Sequence, residues 1–256
     1  MERKIDLNCD MGESFGAYTF GEDEALMKSI TSANIACGAH AGDPNIMAYT
    51  VKLAKENGVS IGAHPGFPDL SGFGRRMIDF SPEEIYQMVV YQIGALHAFC
   101  RAHNVRMNHV KPHGAMYNLA AKNREVANAI AKAIADFDQE LILFGLAGSY
   151  LLDEGEQAGL SVASEVFADR TYQDDGSLTP RNMEGALIET TQQAVEQVKQ
   201  MLTEGVVTSI QGKHIPIKAD TICVHGDGPS AVTFVKELNV SLQEEGITTA
   251  SIKATE

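Results

Sequence analysis

The chain has 256 residues, 44% of them apolar, enough to bury a core without disulfides or a structural metal. Lysine and arginine number 20 against 34 aspartates and glutamates, a net charge of −14 that repels nucleic acid and anionic membranes but leaves room for a local basic pocket. No apolar run reaches the ~18 residues of a membrane span. The opening MERKIDLNCDMGE turns polar before a secretory signal forms. The expectation is a cytoplasmic protein with no nucleic-acid and no membrane partner.

Short β-like runs recur at 5–8, 33–36, 59–62, 106–110, 141–144, 160–163 and 221–224. Helical spacing lies between most of them, at 43–57, 81–103, 123–136, 183–203 and 230–244. Ser81 and Asp43, each followed by proline, read as helix N-caps, and Gly58 ends the first of these helices. Alternating strand and helix implies parallel strands joined by crossovers. The prediction is an α/β fold, a (β/α) barrel of about seven parallel strands in one domain spanning 1–256. A doubly wound sheet is the alternative; polar, glycine-rich clusters after nearly every strand favour the barrel. Residues 206–218 break the rhythm and read as a strand-rich excursion turning at Gln211-Gly212.

In a barrel strand, residues two apart share a side. This parity groups Asp6, Asn8 and Asp10; His109, Lys111 and His113; Glu165, Phe167 and Asp169; and Cys223, His225 and Asp227. Polar residues alternating at several strand ends converge on one mouth, the expected site. Two glycine-rich loops, CGAHAGDP and GAHPGFPD, hold His40 and His64 in tight turns. In GFGRR, Arg75 and Arg76 are a candidate clamp for a carboxylate or phosphate.

The chain carries no P-loop, no GxGxxG after the first strand, no GxSxG elbow and no HExxH. That argues against a familiar kinase, ATPase, dehydrogenase or serine esterase, and leaves no tight motif in support of zinc. The four cysteines, Cys9, Cys37, Cys100 and Cys223, form no CxxC pair and read as reduced, buried thiols. His97, His103 and His214 are assigned to surface or packing roles. Metal use by the other histidines stays open, with Asp10, His40 and His64 as the candidates.

Taken in order, DLNCDMGESFG, NIACGAHAGDP, GAHPGFPD, GFGRR, VKPHGAMYN, EVFADRTY, GSLTPR and ICVHGDGPS resemble the LamB/YcsF family, the A-subunit family of bacterial 5-oxoprolinase. These segments run from the first strand to the last. The resemblance implies a barrel related to glycoside hydrolases and deacetylases. It also implies ATP-dependent opening of the 5-oxoproline lactam to L-glutamate, in a complex with 5-oxoprolinase subunits B and C. ATP would act as cosubstrate, with magnesium.

The resemblance assigns no residue roles, so these are argued from the chemistry. A lactam carbonyl is a poor electrophile; phosphorylating its oxygen makes a leaving group for attack by water. Asp10 or His64 is the candidate general base, with Glu13 in reserve. Lys111 would polarise the lactam oxygen or grip phosphate. Arg75, Arg76 or Arg170 would bind the substrate carboxylate. Asn8, His40, Glu165, Asp169, His225 and Asp227 complete the expected binding residues. His113 and His225 would relay protons, or join Asp10 and His40 on a metal. Two further readings compete: a metal-dependent, deacetylase-like hydrolase working without ATP, and a non-catalytic subunit that binds substrate for its partners.

Overall fold

The computed structural model describes residues 3–188, 190–224 and 231–253. The elements run β1 (Arg3–Met11), α1 (Asp23–Leu26), β2 (Ser32–Ala36), α2 (Pro44–Asn57), β3 (Ser60–His64), α3 (Pro82–Ala102), β4 (Met107–Val110), α4 (Gly114–Lys122), α5 (Arg124–Phe137), β5 (Ile142–Leu146), α6 (Tyr150–Gln157), β6 (Val162–Phe167), α7 (Thr191–Glu204), β7 (Val206–Thr208), β8 (His214–Pro216), β9 (Thr221–Val224), α8 (Ala231–Glu244) and β10 (Ile247–Thr249). Seven strands, β1-β2-β3-β4-β5-β6-β9, close on themselves through the β1–β9 pairing, all parallel. The chain is therefore a (β/α) barrel. β10 adds in parallel to the N-terminal half of β1, and β7 and β8 form an antiparallel ribbon beside the ring.

Local sequence sets the helix ends. Asp43 caps α2, its Oδ1 accepting from the backbone N–H of Asn45 and Ile46, and Gly58 closes the helix in the left-handed region. Ser81 and Glu84 form a reciprocal capping box on α3. The segment expected to start a helix at 183 does not. Met183 and Gly185 lie in a turn, Gly185 at φ +73°, and the helix begins only after Thr190, whose hydroxyl accepts from Gln193 N–H. Residues 170–187 instead form a loop held by isolated bridges, Arg170 to Leu187 and Tyr172 to Leu178.

The main core lies between the outward strand faces and the helices: Leu7, Cys9, Ile35, Val166 and Ile222 meet Val51, Ile93, Ile130 and Val235, all buried. All four cysteines are free and buried. The lumen differs. On one side Ile142, Phe144 and Ala163 form a small separate apolar cluster, covered by Ile252. The rest is polar and hydrogen-bonded in tiers. Asp6 accepts from Thr31, Ser32 and Thr221. Asn8 donates to Thr221 and accepts from Asn34, and Asn34 Oδ1 faces His109 Nε2 at 2.8 Å. Gly62 makes room for that histidine: a Cβ there would lie 2.1 Å from His109 Nε2.

Candidate active site

β1, β2, β3, β4, β6 and β9 carry the lumen's polar tiers upward to one end of the barrel. Lys111, just past β4, sits at the centre. Its ammonium lies 2.7 Å from Glu165, 3.0 Å from Asp10 Oδ1, 3.2 Å from Asn8 Oδ1 and 3.1 Å from Cys223 Sγ, with Phe167 beneath. Burial opposes the charge, but Asp10 and Glu165 outweigh it and hold the ammonium well above lysine's ordinary range. Three N–H donors thus meet four protein acceptors, none of which is a ligand.

Above Lys111, His64 Nδ1 is 2.7 Å from the Lys111 carbonyl, and its Nε2 is 3.3 Å from Asp10 Oδ2. His113 Nε2 is 2.8 Å from the Phe73 carbonyl, and its Nδ1 is 2.9 Å from His64 Nε2. His40 stacks on His113 with ring centroids 3.7 Å apart. Glu13 Oε1 lies 3.3 Å from His40 Nε2 and 3.4 Å from His113 Nδ1. Burial drives the pKa values of His40 and His113 well below the imidazole norm, so both rings are neutral at pH 7. Gly74 closes over these rings at φ +64°. A Cβ there would meet His40 Cβ at 2.7 Å and His113 Cδ2 at 2.8 Å.

A cleft of about 500 Å³ opens over this centre. Asp10, Glu13, His64, Lys111 and His113 form its floor; Arg75, Lys122, Arg170 and Arg181 bring positive charge to its walls. The remaining lining, with Leu119, Leu146, Phe167 and Leu178, is largely apolar. An anionic small molecule fits that balance.

A family model described as "LamB/YcsF family" matches residues 5–256. The chain belongs to the LamB/YcsF family. It is 59% identical over 250 residues to a Halalkalibacterium halodurans protein named as the A subunit of 5-oxoprolinase, covering 98% of this chain and 97% of that one. A Staphylococcus aureus (strain Newman) protein of the same name is 55% identical over 249 residues, 97% of this chain and 100% of that one. The crystal structure of the lactam utilization protein from Thermus thermophilus superposes with a TM-score of 0.92 at 44% identity, covering 97% of this chain and 100% of that one.

In this LamB/YcsF chain the residues expected at the mouth divide by position. Asp10, Glu13, His64, Arg75, Lys111, His113 and Arg170 reach the cleft. Asn8 and Glu165 are buried below it and hold Lys111 rather than facing a ligand. His40 is likewise buried behind the floor. Arg76 points away: its guanidinium, 66% exposed, pairs with Asp69 outside the cleft, because Asp69 caps the turn at Leu70–Gly72 and draws the arginine there. Asp169 is half-buried and outside the lining. Arg170 lines the wall while donating to the carbonyls of Thr179 and Ala186, so it also props the 170–187 loop; burial lowers its pKa to about 10. His225 and Asp227 lie outside the described residues.

Among the described residues, Glu13, His40, His64 and His113 are the group that could hold a metal ion, with ligand atoms all within 4.8 Å of one another. Asp10, the expected carboxylate partner, stands beside it, its Oδ1 taken by Asn34 and Lys111. Strand parity does not point to two further residues of the site. Tyr117 donates to Glu165 Oε2 at 2.6 Å, and Arg181 lines the cleft. Both sit in the polar segments VKPHGAMYN and GSLTPR, so their signal is the motif itself.

Proposed function

We propose that this chain is the A subunit of a 5-oxoprolinase and that its cleft is where the lactam ring is opened. The observation that carries this is near-full-length identity of 55–59% to proteins named as 5-oxoprolinase A subunits, in a chain whose cleft pairs a carboxylate floor with cationic walls. Arg75 and Arg181 take the substrate carboxylate by charge-assisted hydrogen bonds. The lactam carbonyl then faces Asp10, whose Oδ2 is the part of that carboxylate not engaged by Lys111 and Asn34.

ATP, with magnesium, transfers its γ-phosphoryl group to the lactam oxygen, releasing ADP. Asp10 takes a proton from water as that water's oxygen bonds to the carbonyl carbon. Asp10 returns that proton to the ring nitrogen as the C–N bond breaks, and the hydroxyl's remaining proton leaves to the amine as the carbonyl re-forms, giving an acyl phosphate; a second water displaces phosphate and yields glutamate. Lys111 is the fixed counter-charge that positions Asp10 and Glu165. The cleft's volume exceeds what one five-membered ring fills, which supports a second reactant there. Subunits B and C supply the remaining nucleotide contacts, since this chain has no P-loop. Four free thiols and no disulfide among the described residues fit a cytoplasmic setting.

Glutamate release from 5-oxoproline tests the proposal. This chain alone, subunits B and C alone, and the mixture are each assayed with and without magnesium-ATP. Release by the mixture only, and only with ATP, is expected. Equal release by B and C without this chain, or release that needs no ATP, contradicts it.

A further inference from the structure

The histidines over Lys111 raise a problem of proton accounting. A carbonyl oxygen can only accept, so the 2.7 Å contact between His64 Nδ1 and the Lys111 carbonyl places the proton on Nδ1. By the same logic the 2.8 Å contact of His113 Nε2 with the Phe73 carbonyl places that ring's proton on Nε2. With one proton on each ring so placed, His64 Nε2 and His113 Nδ1 are lone pairs, and they point at each other across 2.9 Å. Glu13 Oε1, a third acceptor, lies 3.4 Å from His113 Nδ1 and 3.3 Å from His40 Nε2. His40 Nδ1 is buried without a partner, so no hydrogen bond there decides which of its nitrogens carries the proton. Acceptors converge where a cation belongs.

We infer that Glu13, His40, His64 and His113 bind a first-row divalent transition-metal ion, of the zinc class, at the floor of the cleft. Three imidazoles and one carboxylate form the borderline N/O donor set such ions select, whereas magnesium and calcium favour all-oxygen sites. The spacing agrees. Ligands held about 2.0–2.2 Å from a tetrahedral ion stand about 3.3–3.6 Å from one another. The separations of 3.3 Å and 3.4 Å at Glu13 match, all four donor atoms lie within 4.8 Å of one another, and an ion would open the 2.9 Å pair and tilt His40 out of its parallel stack on His113. Backbone carbonyls already orient His64 and His113 through their far nitrogens, the outer support that metal-binding imidazoles use. Glu13, His64 and His113 also line the cleft, so an ion held there would face a bound ligand. The site is independent of the substrate: the donors converge within the chain itself, and binding is measured without 5-oxoproline or partner subunits.

The test uses the full chain, stripped with a chelator and dialysed. Isothermal titration with Zn²⁺ measures stoichiometry and affinity, and visible absorption of the Co²⁺ form reports the ligand field. One Zn²⁺ per chain is expected, with Co²⁺ giving the intense d–d bands of a low-coordinate site. Glu13→Gln and His40→Asn should each weaken binding by at least the roughly 10- to 100-fold that loss of an outer-shell partner costs. His97→Asn, on α3 beside Phe137 and away from the cluster, should bind as wild type. Glu13 lines the cleft with its side chain 10% exposed, so Glu13→Gln remains decisive if His40→Asn does not fold. No saturable Zn²⁺ binding tighter than about 1 mM overturns the inference; His64 and His113 would then share a proton in place of an ion. Stoichiometric binding untouched by Glu13→Gln and His40→Asn overturns it equally, because the ion would lie elsewhere.

Discussion

Replacing Lys111 with methionine removes one charge and leaves two. In the native barrel the ammonium is 3% exposed, 2.7 Å from Glu165 and 3.0 Å from Asp10. Glu165 is fully buried and would keep only the Tyr117 hydroxyl as a donor. Removing one partner from a buried ion pair costs about 3–5 kcal/mol, chiefly because the remaining charge is stranded. Solvent screening does not reduce this much at such burial. For a chain of this length each kcal/mol shifts the melting temperature by about 2–4 °C, so Lys111→Met should melt about 6–20 °C below wild type. The double variant Lys111→Met/Glu165→Gln removes the second stranded charge and should recover roughly half of that loss, a coupling expected of groups in direct contact. Differential scanning calorimetry at pH 7.5 on the four proteins of the cycle reads both numbers. A Lys111→Met chain melting within about 2 °C of wild type, or a double variant no more stable than the single one, would refute the view of Lys111 as the counter-charge that holds the floor together.

Burial lowers the His109 pKa to about 3 from 6.5, with Lys111 adding to the effect. Its neutral ring contributes stability that is complete above pH 6.5 and lost as the pH falls toward 3. At pH 5 the loss is about 2 kcal/mol, so the drop in unfolding free energy between pH 7.5 and 5 should shrink by that amount in His109→Gln; an unchanged drop in urea titrations contradicts this. Gly74→Ala combines a left-handed backbone with overlap onto His40 and His113, whereas Gly148→Ala at φ +74° meets open space. Thermal melts should therefore show Gly74→Ala costing about 1–3 kcal/mol and clearly more than Gly148→Ala; equal losses would mean the histidines yield freely. Arg181→Ala should raise the KM for 5-oxoproline in the assembled enzyme, while Arg76→Ala, paired with Asp69 outside the cleft, should leave it unchanged. The reverse pattern in steady-state kinetics would relocate the carboxylate clamp.

Much of the barrel is legible in the sequence because its helices begin and end on strong local signals. Asp43-Pro44 and the Ser81–Glu84 box are such signals, and the helices start where those residues say. Four of the apolar runs, in contrast, stop short of the C-terminal ends of their strands, while 33–36, 106–110 and 221–224 end where β2, β4 and β9 end. The run at 5–8 continues to Met11, 59–62 to His64, and 160–163 to Phe167. The cause is chemical. The last residues of each strand bear Asp10, His64 and Glu165, so the apolar run stops while the hydrogen-bonded ladder continues. Strand parity still groups Asn8 with Asp10, and His109 with Lys111, and these do meet in the lumen through Asn34. Parity cannot rank depth. It makes Asn8 and Glu165 equal to Asp10, although they lie a tier below the cleft. Nor can it pair Glu13 with His40, His64 and His113, because only His64 lies on a strand, at the end of β3, while the other three follow β1, β2 and β4 in loops without a shared strand period.

Glutamate release by the assembled enzyme carrying Asp10→Asn measures the central claim most directly. Asparagine keeps the shape and the hydrogen bond to Lys111 but takes up no proton. Turnover should fall by about 10²- to 10⁴-fold, the usual contribution of a positioned base, with 5-oxoproline binding retained. Wild-type turnover from Asp10→Asn would place the chemistry on other residues.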